Sequence, residues 1–221
     1  MSLAKVLKTW DETPKLLGVA LAAPAIAAAH RAPGQFVMVG ATPVALASAP
    51  GHGLELLVKK EGTAHELLGR LVAGAELDVE GPSGPGYPLA QHAGRDLVLL
   101  GAGSGIAPLH AVVQAVLDER ARWGAVHVYY GHRAADEFAY RGERAGWREA
   151  GIRVVEVVSG DAGPSWAGAR GRVHEALAAE ASTIALGRAV AYVCGMSDMV
   201  ADATATLVRL GLRAEDVYRN Y

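Results

Sequence analysis

Cysteine is nearly absent. The 221 residues include one, Cys194, so no internal disulfide can form, and an iron–sulfur cluster, which normally takes four thiolates, has no self-contained ligand set. Aromatic residues are scarce at 6%, and a formal charge of -2 gives none of the basic excess that nucleic-acid partners call for. No apolar run reaches the roughly 18 to 20 residues that span a bilayer. Metal-ligand spacing is also missing: His65, His110 and His174 stand singly and read as structural histidines. No internal repeat or low-complexity tract is present. One stretch imitates a secretory leader, since Leu16 to Ala29 is alanine-rich and follows Lys5, Lys8 and Lys15. Asp11 and Glu12 interrupt its basic region and Pro24 breaks its apolar core, so it reads as a strand over Leu16–Leu21 and a loop, in a cytoplasmic protein.

What remains is hydrophobic, at 51% of residues, and long enough for one large domain or two small ones. The first half reads as short strands parted by Pro and Gly: Ala4–Thr9, Leu16–Leu21, Phe36–Val39, Val44–Ala47, Leu54–Lys59 and Glu76–Gly81, with one helix over Ala64–Leu71. That spacing predicts an antiparallel barrel or sandwich. The second half alternates strands at Leu97–Leu100, Ala125–Tyr130, Arg153–Val158 and Ala189–Cys194 with helices at Ile106–Arg120, Ala135–Glu149, Arg172–Ala179 and Asp198–Leu210. Alternation predicts a parallel sheet covered on both faces. A boundary in LAQHAGRD, residues 88 to 95, divides a barrel domain of residues 1–90 from an α/β domain of residues 91–221.

The most informative stretch is LVLLGAGSGIAPL, residues 97 to 109. Four apolar residues run into Gly101, Gly103 and Gly105, after which Ile106, Leu109, Val112, Val113 and Val116 recur at helical spacing. Strand, glycine turn and helix together expose backbone amides and a helix N-terminus to an anion, without side chains in the way of a pyrophosphate. A P-loop would need Lys and then Ser or Thr where Ile106 and Ala107 stand. The dehydrogenase fingerprint would need glycine at Ile106 and an acid at the end of the next strand, which instead runs out at Tyr130-Gly131-His132-Arg133.

GAGSGIAPL resembles the nicotinamide-domain turn of the ferredoxin:NADP reductase superfamily, roughly G-x-G-x-[GA]-I-[AS]-P. Four more blocks match in order: Pro33-Gly34-Gln35-Phe36; Gly81 to Tyr87, like GPxGxGF; Tyr129 to Arg133 followed by Tyr140-Arg141, like YYGxR…YxxE; and Tyr192 to Met196 with Met199, like YVCGxxxM. Asp216 to Tyr221 is similar to the family's closing strand. The resemblance implies a flavin barrel followed by a nucleotide-binding domain. It implies that Gly101, Gly103, Ser104, Gly105, Ile106, Ala107 and Pro108 hold the pyrophosphate of a nicotinamide dinucleotide. Arg133 and Tyr140 would lie by the adenosine, with Tyr140 against the adenine, and Cys194, Gly195 and Met196 would border the nicotinamide where hydride passes to FAD.

The flavin motifs depart from the family. Its strand R-P-[YF]-S reads Thr42-Pro43-Val44-Ala45, continuing Leu46-Ala47-Ser48, and its G-x-G-T phosphate site reads Gly62-Thr63-Ala64-His65. Arginine, aromatic and serine are replaced. A divergent plant and bacterial branch with an alanine-rich strand looks similar. What the residues still offer is backbone amides around Val44 to Ala47, Thr63 or His65 for a phosphate, and Tyr221 as cover for the ring. Ser159-Gly160-Asp161 ends the strand where phosphate-binding members tend to have Ser-Arg, which favours NADH over NADPH unless Arg170 or Arg172 folds back. The reading is therefore an FAD-dependent NAD(P)H oxidoreductase with an unidentified protein or small-molecule acceptor. The alternative is a non-catalytic NAD(H)-binding subunit whose flavin site has degenerated.

Overall fold

A computed structural model describes residues 2–220; the expected flavin cover, Tyr221, lies outside the described residues. Strands β1 (Ser2–Thr13), β2 (Leu16–Ala22), β3 (Phe36–Val39), β4 (Thr42–Ala45), β5 (Leu54–Lys59) and β6 (Glu76–Ser83) form one antiparallel sheet in the order β4-β3-β6-β1-β2-β5. A bridge between Leu46 and Leu56 links its two ends and closes the barrel. Alternation places Ala4, Val6, Val19, Val37, Val44, Leu56 and Val79 in the barrel core, while Lys5 and Leu7 of β1 face out. Where a loop was expected there is a short helix, α1 (Pro24–Ala29). Proline at its first turn has no N–H to waste, and Ile26 is buried beneath it. The expected helix near Ala64 is α2 (Thr63–Leu68), ended at Gly69, whose N–H donates to the His65 carbonyl at 2.7 Å.

The second sheet is wholly parallel, built from β7 (Asp96–Ala102), β8 (Val126–His132), β9 (Ile152–Val158), β10 (Ala169–Arg170), β11 (Ala189–Cys194) and β12 (Val217–Arg219) in the order β10-β9-β8-β7-β11-β12. One face, with Leu97, Leu99, Val128 and Tyr192, packs under α3 (Ile106–Asp118) and α4 (Arg144–Glu149). The other, with Val98, Leu100, Ala191 and Val193, packs under α5 (Val173–Glu180) and α6 (Ser197–Arg209). Burial on both faces is why these strands read as unbroken apolar runs. The first of these cores also takes in Leu16, Ala47 and Leu57 from the barrel, so apolar packing is continuous between the two sheets.

The helix expected over Ala135–Glu149 is a correction. Only a 3-10 turn at Ala135–Glu137 and the six residues of α4 are helical. Between them Tyr140 has φ 57°, a left-handed conformation that interrupts any helix and that a bulky side chain adopts only when its surroundings hold it there.

Candidate active site

From β7 the sheet grows in two directions, through β8 and β9 on one side and through β11 and β12 on the other. The crevice at the carboxyl ends of β7 and β11 is therefore the topological switch point, where open α/β sheets bind ligands. Cys194 pairs with Gly101 there. Beyond this pair the chain turns through Gly103–Gly105 into α3, a thirteen-residue helix with no side-chain cap. The Ile106 N–H is taken by the Gly103 and Ser104 carbonyls and Pro108 has none, so the amides left to face an anion are those of the glycine turn and of Ala107.

The glycines of the turn do different jobs. Gly103 has φ 56°, and a Cβ there would meet nothing within 4 Å, so its surface is open to a ligand. A Cβ on Gly105 would lie 2.5 Å from the Cys194 carbonyl oxygen and 2.9 Å from Gly195 Cα, so that glycine lets the turn lie against the end of β11. A Cβ on Gly101 would sit 2.9 Å from Leu109 Cδ1, which sets the approach of α3. Ser104 is half-buried beside the open surface, whereas Ile106, Ala107 and Pro108 are buried and offer the crevice only main chain. Tyr130 reinforces the turn: its hydroxyl donates to the Gly103 carbonyl at 3.2 Å and accepts from the Ala139 N–H at 3.3 Å.

The second wall is held from behind. The Tyr87 hydroxyl donates to the Val193 carbonyl at 3.2 Å, and its ring stacks on Tyr192 at 4.5 Å. Tyr192 in turn pairs through its hydroxyl with His92 Nδ1 at 2.6 Å. This is the work of the Gly81-to-Tyr87 segment: it carries a buried aromatic that fixes the strand ending in Cys194. Gly195 is half-buried and Met196 exposed at the mouth. Burial pushes the Cys194 thiol up to about 12, so it stands beside the crevice as a neutral thiol, not a nucleophile. Because the thiolate is the reactive form, native protein is expected to resist iodoacetamide at mildly alkaline pH. Mass spectrometry should find Cys194 unmodified until the chain is unfolded; rapid alkylation of folded protein would refute this.

On the adenosine side the expected residues separate. Arg133 is exposed after β8, and Ser159 follows β9, its N–H donating to the His132 carbonyl at 2.8 Å. Asp161 is exposed and accepts from the Gly163 N–H at 2.9 Å, while Arg170 donates to the Gly163 carbonyl at 3.0 Å, so acid and guanidinium border one turn. Arg172 points instead to Asp202, at 3.3 Å. Tyr140 is corrected: it is 5% exposed, its ring lies on His110 at 3.8 Å, and its N–H donates to Glu12 Oε1 at 2.5 Å. Its left-handed backbone turns it into the seam with the barrel, away from any adenine.

The barrel side presents little side-chain chemistry. Val44 and Leu46 are turned into the core, leaving Thr42 and Ala45 half-buried and Pro43 exposed on the outer surface. Two of the backbone amides expected to edge the flavin are already used: Leu46 N–H donates to the Gln35 carbonyl at 2.9 Å and Ala47 N–H to the Glu55 carbonyl at 2.7 Å. His65 is folded back, with Cε1 2.4 Å from where a Gly69 Cβ would be and Nδ1 buried without a partner, so it is no phosphate contact in this conformation. Ala64 is half-buried beside it. Gly62, however, has φ 80° and open space around its Cβ position, and with exposed Thr63 it starts α2 without a side-chain cap. The open surface at Gly62 and the Thr63 hydroxyl fit a phosphate group of FAD, and the glycine turn fits a dinucleotide.

A parallel sheet with a glycine turn at its switch point, set against an antiparallel barrel, is the two-domain architecture of the ferredoxin:NADP reductase family of oxidoreductases, and the chain belongs to that family. The model of the oxidoreductase NAD-binding domain matches residues 99–205. Among curated relatives, the gamma subunit of sulfhydrogenase 1 from Pyrococcus furiosus is 30% identical over 97% of this chain and 77% of its own length. The ferredoxin–NAD(+) reductase component of the alkene monooxygenase system of Xanthobacter autotrophicus is 32% identical over 81% of this chain, which spans 58% of that protein. A ferredoxin NADP+ reductase from Neisseria gonorrhoeae, solved with bound FAD and NADP, superposes with a TM-score of 0.81 over 100% of this chain and 98% of its own, at 23% identity. This chain is an oxidoreductase of that family with an NAD-binding domain. No described helix is long and apolar enough to cross a membrane.

Tyr130, Glu12 and His110 are the structural partners that sequence reading left without a role. Tyr130 stood in a family block, but its bond to Gly103 joins β8 to the glycine turn and carries no local signal.

Proposed function

We propose that the chain oxidises NADH in the crevice between Gly103 and Cys194-Gly195 and delivers the electrons, through FAD on the barrel, to a separate acceptor. The open surface at Gly103, facing the end of β11 at the switch point, carries this reading. Amides of the glycine turn and of Ala107 orient the pyrophosphate. The Cys194-Gly195 main chain lines the nicotinamide side, and Tyr87 and Tyr192 keep that wall in place. FAD, when bound, supplies the two-electron acceptor for the hydride. Thr42, Pro43, Ala45, Gly62 and Thr63 are the residues that would hold it. No general acid or base is needed for hydride transfer between two cofactors, and none is assigned.

NADH is favoured because Asp161 would repel a 2′-phosphate and can accept from ribose hydroxyls, while Arg172 is engaged by Asp202. The ferredoxin–NAD(+) reductase relative supports the same coenzyme preference and a ferredoxin-type protein as acceptor.

The test is a visible-spectrum titration of the purified protein with FAD, followed by NADH without oxygen. Saturable flavin uptake and bleaching of the flavin band are expected, with NADH favoured over NADPH in kcat/KM by at least about tenfold. Dinucleotide binding without flavin uptake would point to a sensor or regulatory subunit. Equal use of NADPH, abolished by Arg170→Ala, would reverse the coenzyme preference.

A further inference from the structure

Between the two halves runs a polar seam centred on His110. This residue of α3 is 1% exposed; its Nδ1 lies 2.6 Å from the Ala47 carbonyl oxygen and its Nε2 2.8 Å from Glu143 Oε2. A carbonyl oxygen and an ionised carboxylate are both acceptors only. For both contacts to be hydrogen bonds, both ring nitrogens must donate, and that is the imidazolium form. The surroundings suit a cation. The ring lies flat on Tyr140, with 3° between the planes, and the face of a phenol ring attracts positive charge. Trp147 of α4 lies 5.9 Å away. Burial, then Tyr130 and the carboxylates of Glu12, Glu143 and Glu55, keep the Tyr140 phenol well above its ordinary range and hence neutral. Among the described residues Glu143 has no ion-pair partner but His110, and the adjacent cation, Arg144, is engaged by Glu156.

We propose that His110 is a positioning residue of the redox reaction. As an imidazolium it ties the Ala47 carbonyl, on the segment running on from β4, to the helix whose first turn holds the dinucleotide, and so fixes the separation of the two cofactor-bearing halves. This rests on the hydride-transfer reading above. His110 touches neither cofactor site; its action is through the seam. A second tie one turn along α3 needs no proton: Gln114 Oε1 accepts from the Ala49 N–H at 2.8 Å. Loss of the His110 proton therefore loosens one end of the seam without parting the halves, because a bare nitrogen then faces one of the two acceptors.

Two measurements test this on the flavin-loaded protein. In stopped-flow, the rate of flavin reduction by NADH is expected to fall on the alkaline side while NADH affinity stays constant. Glu143→Gln removes the charge that holds the proton and should move this alkaline limb to lower pH. His110→Gln should remove the limb and lower the rate about ten- to a hundredfold at every pH. In ¹⁵N-histidine NMR, both ring nitrogens of His110 should be protonated at neutral pH, with the resonances assigned by their loss in His110→Gln. One unprotonated ring nitrogen at neutral pH, or an alkaline limb that Glu143→Gln leaves in place, overturns the positioning role alone. Failure of NADH to reduce the flavin at any pH overturns the hydride-transfer reading and the positioning role with it.

Discussion

Gly105→Val is expected to raise the Kd for NADH by at least about a hundredfold and to lower the melting temperature. The Cβ of any other residue here would lie 2.5 Å from the Cys194 carbonyl oxygen, 2.7 Å from its carbon and 2.9 Å from Gly195 Cα. All three are main-chain atoms of the opposite wall and cannot swing aside as a side chain would. Either the turn or the end of β11 has to move, and overpacking of this kind costs about 1–3 kcal/mol before the extra methyls of valine are counted. The same displacement forces apart the two walls between which the dinucleotide is read to lie and moves the turn amides out of register with it. Gly103→Ala is the informative contrast. Its Cβ meets nothing, so it should leave the fold intact and pay only about 1–2 kcal/mol for a left-handed alanine, while placing a methyl on the surface that the ligand approaches. Calorimetric titration with NADH, paired with thermal unfolding, separates the two variants. Wild-type affinity in Gly105→Val would remove the crevice from consideration.

Arg144→Met should destabilise the protein by about 3 kcal/mol, read from chemical denaturation. Arg144 is 5% exposed and forms an ion pair with Glu156, with its guanidinium 5.8 Å from the Phe138 ring. Burial is the main reason this guanidinium is pushed down to about 10, which indicates how fully it has left water. Removing one partner of a buried pair typically costs about 3–5 kcal/mol, because the other charge is stranded. The lower end applies because the Glu156 side chain is 21% exposed and retains Arg148 at 3.3 Å. The double variant Arg144→Met/Glu156→Leu should recover much of the loss. If the two single losses simply add, the pair is not the source of the effect.

The parts of this protein legible in its sequence are those with a period or a turn chemistry. Apolar runs such as LVLL predicted β7 within two residues, and Ala189–Cys194 is the observed β11. The glycine turn was readable because each glycine serves a local geometric need. What escaped was set by partners distant in the chain. Nothing near Tyr140 announces that Glu12 will capture its N–H or that His110 will cover its ring, so its helical spacing predicted a helix that tertiary contacts override. The flavin strand failed for a related reason. Its letters were read correctly, but which of Thr42, Val44 and Ala45 faces outward depends on the pairing of β4 with β3 and on the barrel closing at Leu46, neither of which the letters display.

The place of β11 in the sheet has a temporal side. On the ribosome, β7 emerges first and can be joined by β8 and β9, but its other edge waits for β11, which is translated after α5. Until then an apolar, unpaired strand edge is open to any other strand the nascent chain or its neighbours offer. The barrel, whose last strand ends at Ser83, has by then all its own strands. Coenzyme binding is therefore a property acquired late in synthesis, at a moment set by strand order and not by any side chain of the crevice.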